Sequence, residues 1–404
     1  MAPLEPWEKV LIDGTIFPNT VHGTMPCEHC HGGVQSPDKE SAHDGILARP
    51  SEEAEKSCGQ CHPNVTAMAA TSLHSTLAGY WTVLDARSAP EGHEALSEAF
   101  GNHCAGCHTT CGDCHVSQPH EAGGGLIAGP NFNRTPSMTR NCTACHGSRV
   151  GNEYLGKHEG LMADVHFRQG RMSCVDCHSG NEMHGAGDNC EQCHAGPANA
   201  TVPPPDHRYA GVQSPRCESC HVKVTLKGNG NEMHEQHGGD LSCQVCHSLP
   251  YTSCDSCHVA ISETTGRPFF ATGGSYLTFF IGRNALKSFD RPYDYVTVRH
   301  VPIAEDNFSF YGPNLLPFFD ALPTWAYATP HNIQRQTPQN ASCDACHGNE
   351  DIFLTADKVY PEELEANLPV IVTTVPGLLT ETLSITATVP ITGTEAITST
   401  NATP

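Results

Sequence analysis

Eleven copies of the pattern C-x-x-C-H run through this chain and constrain its fold more than any other feature. They use all 22 cysteines of the 404 residues, so no cysteine is left over. We number the motifs one to eleven in chain order: Cys27-Cys30-His31, Cys58-Cys61-His62, Cys104-Cys107-His108, Cys111-Cys114-His115, Cys142-Cys145-His146, Cys174-Cys177-His178, Cys190-Cys193-His194, Cys217-Cys220-His221, Cys243-Cys246-His247, Cys254-Cys257-His258 and Cys343-Cys346-His347.

This pattern is the attachment signature of c-type haem. The two thiols form thioethers with the haem, and the adjoining histidine binds the iron as the proximal ligand. Zinc ribbons and exported disulfide frameworks also contain paired cysteines, but neither requires a histidine after every second cysteine. Thioredoxin-like C-x-x-C sites occur singly on βαβ patterns, which are absent here. The sequence therefore predicts eleven covalently attached haem c groups.

Fifteen of the 26 histidines are not the final histidine of a motif and are candidates for the second axial position of the irons. His29 lies inside the first motif and His103 abuts Cys104, so we interpret both as spare or as bound to a neighbouring haem. The other thirteen are the predicted distal ligands: His22, His43, His74, His93, His120, His158, His166, His184, His207, His234, His237, His300 and His331.

Recurrent spacing supports several of these candidates. His43, His74 and His158 each follow a motif histidine by twelve residues, and the tripeptide EMH recurs at His184 and His234, which suggests an internal duplication. Methionine is the competing axial ligand and would raise the reduction potential. Because the chain has only eight methionines, bis-histidine ligation is the expectation.

The composition explains what kind of fold can carry these sites. Only 38% of the residues are hydrophobic, while 37 are glycine and 30 are proline, so a conventional apolar core cannot span the chain. We predict a mainly irregular fold with short α-helices, a core packed with haem, and a few short β-strands in an aromatic-rich segment. The apolar area of the haems would replace the missing side-chain area.

Three regions follow from the distribution of the motifs. Residues 1–258 form an array of ten haem sites. Residues 259–360 begin with an aromatic-rich insert without motifs, in which YDYVTVRHVPI (residues 293–303) is the best strand candidate, and end with the eleventh site. The insert is interpreted as a packing domain or, alternatively, as a substrate-binding lobe. Residues 361–404 are a Thr/Pro-rich tail, either a stalk or an extended strand that pairs with a neighbouring subunit.

The motifs between residues 22 and 347 resemble those of multihaem c-type cytochromes, and residues 158–185 look like the core of several bacterial and archaeal members. The resemblance implies closely stacked, mostly bis-histidine haems that pass electrons outside the cytoplasm. Pentahaem nitrite reductases have a C-x-x-C-K site that is missing here. Hydroxylamine-oxidoreductase-like and tetrathionate-reductase-like octahaem proteins are nearer, but neither has eleven sites.

Compartment and partners follow from the same chemistry. Haem is attached outside the cytoplasm, so we expect an exported protein, extracellular or at the cell surface and otherwise periplasmic, although the first residues lack a signal-peptide pattern. The sequence contains no run of about 18 apolar residues, so it predicts no membrane span. The formal charge of -22 argues against nucleic acid as a partner.

Two functions fit the sequence. The leading hypothesis is an electron conduit without enzymatic activity. Its partners would be redox proteins or extracellular electron acceptors, and in one form of this hypothesis the protein self-associates into filaments. The alternative is an oxidoreductase in which one five-coordinate haem acts on a nitrogen or sulfur compound.

Overall fold

The computed structural model describes residues 4–107, 109–126, 132–185, 215–222, 227–272, 276–287 and 291–378. Several predicted site residues lie outside these ranges, as does the predicted tail from residue 379 onward: His108, Cys190, Cys193, His194 and His207.

The helices are short, and many begin or end at a motif. The longest in the described part of the chain, His93–His103, has 11 residues and leads into the third motif. One-turn helices gain little from their own hydrogen bonds, so they depend on packing or on covalent attachment. The α-helices in the part of the chain that the structure describes are Cys27–His31, Lys39–Ala42, Pro63–Ala69, Leu73–Thr76, Ala78–Asp85, His93–His103, Cys111–His115, Thr143–His146, Asn152–Leu155, Val165–Arg168, Gly180–Met183, Cys217–Cys220, Glu232–His237, Cys243–His247 and Leu364–Asn367.

Turns of 3₁₀-helix alternate with these helices, at Glu8–Val10, Phe17–Asn19, His22–Thr24, Pro50–Glu53, Cys58–Gln60, Pro90–Gly92, Ala105–Cys107, His120–Ala122, Cys174–Asp176, Pro338–Asn340, Cys343–Ala345, Glu350–Ile352, Ala356–Lys358 and Pro361–Glu363. Two π-helical turns, Met138–Cys142 and Gly147–Gly151, flank the fifth motif. No helix among the described residues is long and apolar enough to cross a membrane.

Among the described residues, seven short strands lie in and beside the aromatic-rich segment: β1 (Thr252–Cys254), β2 (Cys257–Ile261), β3 (Pro268–Thr272), β4 (Tyr276–Thr278), β5 (Phe280–Arg283), β6 (Tyr295–His300) and β7 (Trp325–Tyr327). All pairings are antiparallel: β1 with β4, β2 with β3, and a sheet in the order β5-β6-β7. Strand β6 confirms the strand predicted within residues 293–303. The strands begin at Thr252, however, so the tenth motif lies on strands rather than on a helical turn.

Buried apolar side chains are concentrated in the C-terminal part of the chain. Before Val245 the buried hydrophobic residues of the described chain are Leu84, Leu96, Ala99 and Cys104, whereas three apolar clusters involve residues beyond it. The fold is thus mainly irregular, with short helices and a few short strands, as predicted. A core packed with haem stays a prediction.

Residues 361–378, which the sequence groups with the tail, pack in the structure against the β5-β6-β7 sheet. Val370 and Ile371 lie in one cluster with Val296 and Trp325. The backbone N–H of Arg283 donates to the carbonyl of Val370 at 2.7 Å. The buried residues of this stretch, Glu363, Asn367 and residues 370–372, are therefore part of the folded unit.

Candidate haem-binding sites

The motifs place their cysteines on tight turns. In nine of the ten motifs whose cysteines are described, the residues form a turn of α- or 3₁₀-helix. Residues three apart lie on the same side of such a turn, so both thiols point to one side and the following histidine comes directly after them. The tenth motif differs, because Cys254 ends β1 and Cys257 begins β2.

Seven motif histidines each face one histidine from outside the motifs. The separations between ring centroids fall between 5.8 Å and 6.5 Å. The pairs are His62 with His22, His115 with His184, His146 with His74, His178 with His331, His221 with His166, His247 with His234, and His347 with His237. Every histidine–histidine ring contact found in the described part of the chain joins a motif histidine to a predicted distal ligand.

These separations fit two ligands of one metal ion. With metal–nitrogen bonds of about 2 Å, two imidazoles on opposite sides of one ion place their ring centroids about 6 Å apart. Ordinary aromatic pairs cover a wider range, about 4.5–7 Å. The separation alone therefore does not distinguish a ligand pair from an ordinary ring contact. The fact that each of the seven contacts joins one motif histidine to one outside histidine favours ligand pairs.

The orientation of several rings also suits a ligand. The Nδ1 atoms of His115, His247 and His347 lie 2.6 Å, 3.0 Å and 3.1 Å from backbone carbonyl oxygens, to which they donate. The Nδ1 atom of His178 donates to Glu182 Oε1 at 3.0 Å. A hydrogen bond at Nδ1 fixes the ring and leaves Nε2 for a metal, as metal-bound histidines in proteins generally show.

Short capped helices position several distal histidines. Ser72 caps the helix Leu73–Thr76 that contains His74, and Asn231 caps the helix Glu232–His237 that contains His234 and His237. A side chain that accepts from the first backbone N–H groups stabilises a helix that is otherwise too short. Since His234 and His237 face different motifs, this one helix serves two sites.

Gly185, which follows the distal histidine His184, allows a close approach between two of these segments. Its φ is 76°, and a Cβ atom there would lie 2.7 Å from the carbonyl oxygen of Met68 and 2.9 Å from the backbone nitrogen of Ser72. Only glycine adopts this conformation readily at so close a contact. The residue therefore brings the segment of His184 against the cap of the helix that carries His74.

Burial keeps many of the paired imidazoles neutral. Desolvation lowers the pKa of each of the following paired histidines below its ordinary value: His22, His74, His146, His184, His237 and His331. A metal binds the neutral imidazole, so a lowered pKa prepares the ring for that role.

Two buried carboxylates that sequence reasoning missed hold distal histidines in place. Asp164 Oδ1 accepts from the backbone N–H and from Nδ1 of His166, at 2.8 Å and 2.9 Å, while Oδ2 accepts from the N–H of Ile333 at 2.8 Å. Glu153 Oε2 accepts from the N–H of His331 at 2.7 Å. Asp164 lies two residues before His166, a spacing typical of a helix cap, and this spacing could have identified Asp164 from the sequence.

Three other predicted distal ligands, His43, His93 and His158, have no histidine opposite them among the described residues. His43 donates from Nδ1 to the carbonyl of Lys39 at 2.6 Å, and His93 Nε2 lies 3.0 Å from Ser88 Oγ. His158 packs on Tyr251, with its Nε2 buried and without a hydrogen-bond partner. His120 lines a cavity of about 370 Å³ together with Ala105 and Gly106 of the third motif, whose histidine lies outside the described residues.

His300 has a different environment from that expected of a distal ligand. Its Nδ1 lies 2.8 Å from Asp255 Oδ1 and its Nε2 2.9 Å from Glu363 Oε2, all within a buried cluster. Burial lowers the pKa of His300, but the two hydrogen-bonded carboxylates outweigh burial and raise that pKa to about 9. Since both ring nitrogens bind carboxylates, neither is available for iron in this arrangement.

The structure also bears on the spare histidine His103 and on the disulfide and zinc alternatives for the cysteines. His103 contacts Tyr311 Oη through Nε2 at 2.9 Å and faces no histidine in the described residues. All twenty described cysteines are free thiols, without a disulfide among them. A structural zinc site needs about four protein ligands, and the described residues contain no group of three or more His, Cys, Asp or Glu suited to a metal ion.

Comparisons of the chain with protein-family models, with curated proteins and with solved structures found no match.

Proposed function

We propose that this chain is a multihaem c-type cytochrome with eleven covalently attached haems, and that it conducts electrons outside the cytoplasm. The observation that carries the proposal is the set of seven pairs, each of one motif histidine and one distal histidine. The residues present fit haem, because two imidazoles and two thiols, the groups that a c-type haem requires, belong to each of these seven sites. Bound haem supplies reversible one-electron cycling of its iron.

The chain's own residues do the rest of the work. Motif cysteines would fix each haem to the backbone, and at the seven paired motifs the two imidazoles would both bind the iron, so no small substrate needs to bind there. Hydrogen bonds at Nδ1 hold the rings in place and set how strongly each imidazole donates to the metal. Redox proteins or extracellular electron acceptors are the proposed partners, and self-association into filaments is one form of the proposal.

Haem content tests the first half of this proposal. Intact mass of the isolated protein should exceed the mass of the polypeptide by eleven haems. A smaller increment contradicts full occupancy, and no increment overturns the proposal altogether.

A titration of the reduced protein with carbon monoxide tests the second half. If both axial positions of every iron are filled, the Soret band should change little. Stoichiometric binding at one haem would instead support catalysis.

An oxidoreductase remains the second candidate because of the tenth motif. His258 faces no other histidine among the described residues, and its motif lies on strands next to the aromatic-rich segment. Carbon monoxide binding that disappears in the variant Cys254→Ala/Cys257→Ala would assign an open iron to this site. Binding that persists in that variant would place the open iron at another motif.

A further inference from the structure

A cavity of about 320 Å³ lies between the ninth motif, the eleventh motif and the β5-β6-β7 sheet. Val245 of the ninth motif and Ala345 of the eleventh line two of its sides, and Ile281 of β5 and Thr297 of β6 line a third. Sites for small molecules typically have volumes of about 300–1,000 Å³. The cavity is therefore large enough for a small organic ligand.

This cavity lies behind the two motif turns, away from the groups that bind haem. Val245 and Ala345 each directly precede the second cysteine of their motif. In a helical turn this position does not share a side with the first and second cysteines, which are three residues apart. No cysteine or histidine of either motif lines the cavity, and neither does the helix Glu232–His237, which carries their distal histidines. The cavity is thus distinct from the two haem sites.

The walls of the cavity are mainly apolar and carry no charged side chain among the described residues. Phe279 and Phe280 contribute aromatic rings. The Nζ atom of Lys358 lies 5.2 Å from the centroid of the Phe280 ring, but Lys358 does not line the cavity and donates to the carbonyl of Phe353 at 2.7 Å. Without a cation, the site offers nothing to replace the water around an anionic ligand, so a neutral ligand is favoured.

Gln339 provides the cavity with a hydrogen-bond acceptor. Its Oε1 atom is buried and has no hydrogen-bond partner, whereas its Nε2 atom donates to the carbonyl of Ser248 at 3.0 Å and so holds the amide in place. The side chain of Thr337 caps the turn Pro338–Asn340 that carries Gln339. A buried acceptor without a partner is uncommon in native proteins. A ligand with one O–H or N–H donor would supply the missing partner.

The cavity is also open to solvent. Pro250 and Pro338 are exposed, while the other lining residues are buried or half-buried. A ligand can therefore enter between these two prolines without unfolding the sheet or the motif turns.

We propose that this cavity binds a neutral aromatic molecule of one or two rings, and that a hydroxyl on the ring donates to Gln339 Oε1. The apolar walls and the two phenylalanine rings would contact the ring system, and Gln339 would set its orientation. The proposal goes beyond the proposed function and does not depend on it, because binding can be measured whether or not the protein conducts electrons.

Calorimetric titration of the native, haem-loaded protein at pH 7 tests the ligand class with three probes of similar size. We expect 2-naphthol to bind with one-to-one stoichiometry and about tenfold more tightly than naphthalene, which leaves Oε1 without a donor. The anion 2-naphthoate should bind at least tenfold more weakly than 2-naphthol. No binding of 2-naphthol overturns the proposal. Equal affinity for naphthalene contradicts the role of Gln339, and equal affinity for 2-naphthoate contradicts the preference for a neutral ligand.

Two variants locate the binding site. Gln339→Met keeps the length of the side chain and removes the acceptor, so the preference for 2-naphthol over naphthalene should disappear. The matched control is Gln35→Met, at an exposed glutamine that donates to Glu28, and it should keep the preference. Ala345→Leu adds atoms inside the cavity and should weaken the binding of both probes. Intact mass should show the native haem content in each variant. A preference that persists in Gln339→Met, or unchanged binding in Ala345→Leu, places the ligand elsewhere and overturns the proposal.

Discussion

His74 and His93 are both histidines outside the motifs, and the structure gives them different surroundings. His74 is half-buried and faces His146 with 6.2 Å between ring centroids, whereas His93 contacts Ser88. We predict that His74→Ala opens one axial position, so that the reduced variant binds one more equivalent of carbon monoxide than the native protein. His93→Ala should bind no more than the native protein. Optical titration of both variants checks this, and the opposite pattern would show that the ring pair is only a packing contact.

Asp164 is a positioning residue for a distal ligand. Its carboxylate binds Nδ1 of His166, which faces His221. A carboxylate at this place makes an imidazole a stronger donor and favours the oxidised metal. Asp164→Asn should therefore raise the reduction potential of one haem, measured by spectroscopic redox titration.

A matched control for that titration is Asp38→Asn. Asp38 also caps a one-turn helix, where it accepts from the N–H of Ser41 at 2.8 Å, and its carboxylate is exposed. The potentials should stay unchanged in this variant. A shift of equal size in both variants would mean that the loss of a cap or of a charge, rather than the bond to His166, sets the potential.

The His300 cluster makes stability depend on pH. The pKa of His300 in the folded protein, about 9, lies above the ordinary histidine value of 6.5, so the contribution of His300 to stability is complete below about pH 6.5 and is lost as pH rises through 9. The shift corresponds to about 3 kcal/mol of unfolding free energy. Urea unfolding at pH 6, 8 and 10, followed by circular dichroism, should show this fall. In His300→Gln the fall should be absent, and the same slope in both proteins would assign it to other groups.

At the scale of elements, one cap supports two sites. Asn231 Oδ1 accepts from the N–H of Met233 at 3.0 Å and of His234 at 3.3 Å, at the start of the helix that also carries His237. Asn231→Ala should lower the free energy of unfolding by about 1 kcal/mol. It should also alter the spectra of two haems, those of the ninth and eleventh motifs. Asn231→Ser, which keeps a capping oxygen, should match the native protein, and a change in one haem alone would contradict the shared role of the helix.

Local sequence pattern predicted the strand within residues 293–303, but it did not predict which distal histidine faces which motif. The strand within residues 293–303 is confirmed, since alternation and β-branched residues act within a few positions. The spacing of twelve between His62 and His74 has no such local meaning, because His74 faces His146 and His62 faces His22. Which imidazole meets which motif depends on how distant segments pack, and single-sequence periodicity carries no information about that.

The same limit applies to His300 and to the boundary of the tail. The sequence alone makes His300 a candidate ligand, because it does not show that Glu363, 63 residues later in the chain, binds the ring of His300. Residues 370–372 directly precede the Thr-rich sequence, yet their side chains are buried against β5 and β6. Both outcomes are set by tertiary contacts.

At the scale of the whole molecule, two parts of the chain have different sources of stability. Buried apolar side chains stabilise the part beyond Val245, together with the helix that contains Leu96. Most of the motif-bearing part before Val245 buries few apolar side chains among its described residues. If haem provides the missing apolar contacts in the motif-bearing part, this part should not fold without haem. Segments that bury little apolar surface cannot offset the conformational entropy that folding costs.

We therefore predict that the chain produced without haem attachment is only partly folded. Limited proteolysis followed by mass spectrometry should remove most of residues 1–242 and leave a resistant fragment around β1–β7 and residues 350–378. The haem-loaded protein, treated in the same way, should be protected along both parts, because thioether attachment and axial ligation fix the turns that carry the motifs. Equal protection of the motif-bearing part with and without haem would contradict a core built on the cofactor, and would locate that part's stability in its polypeptide.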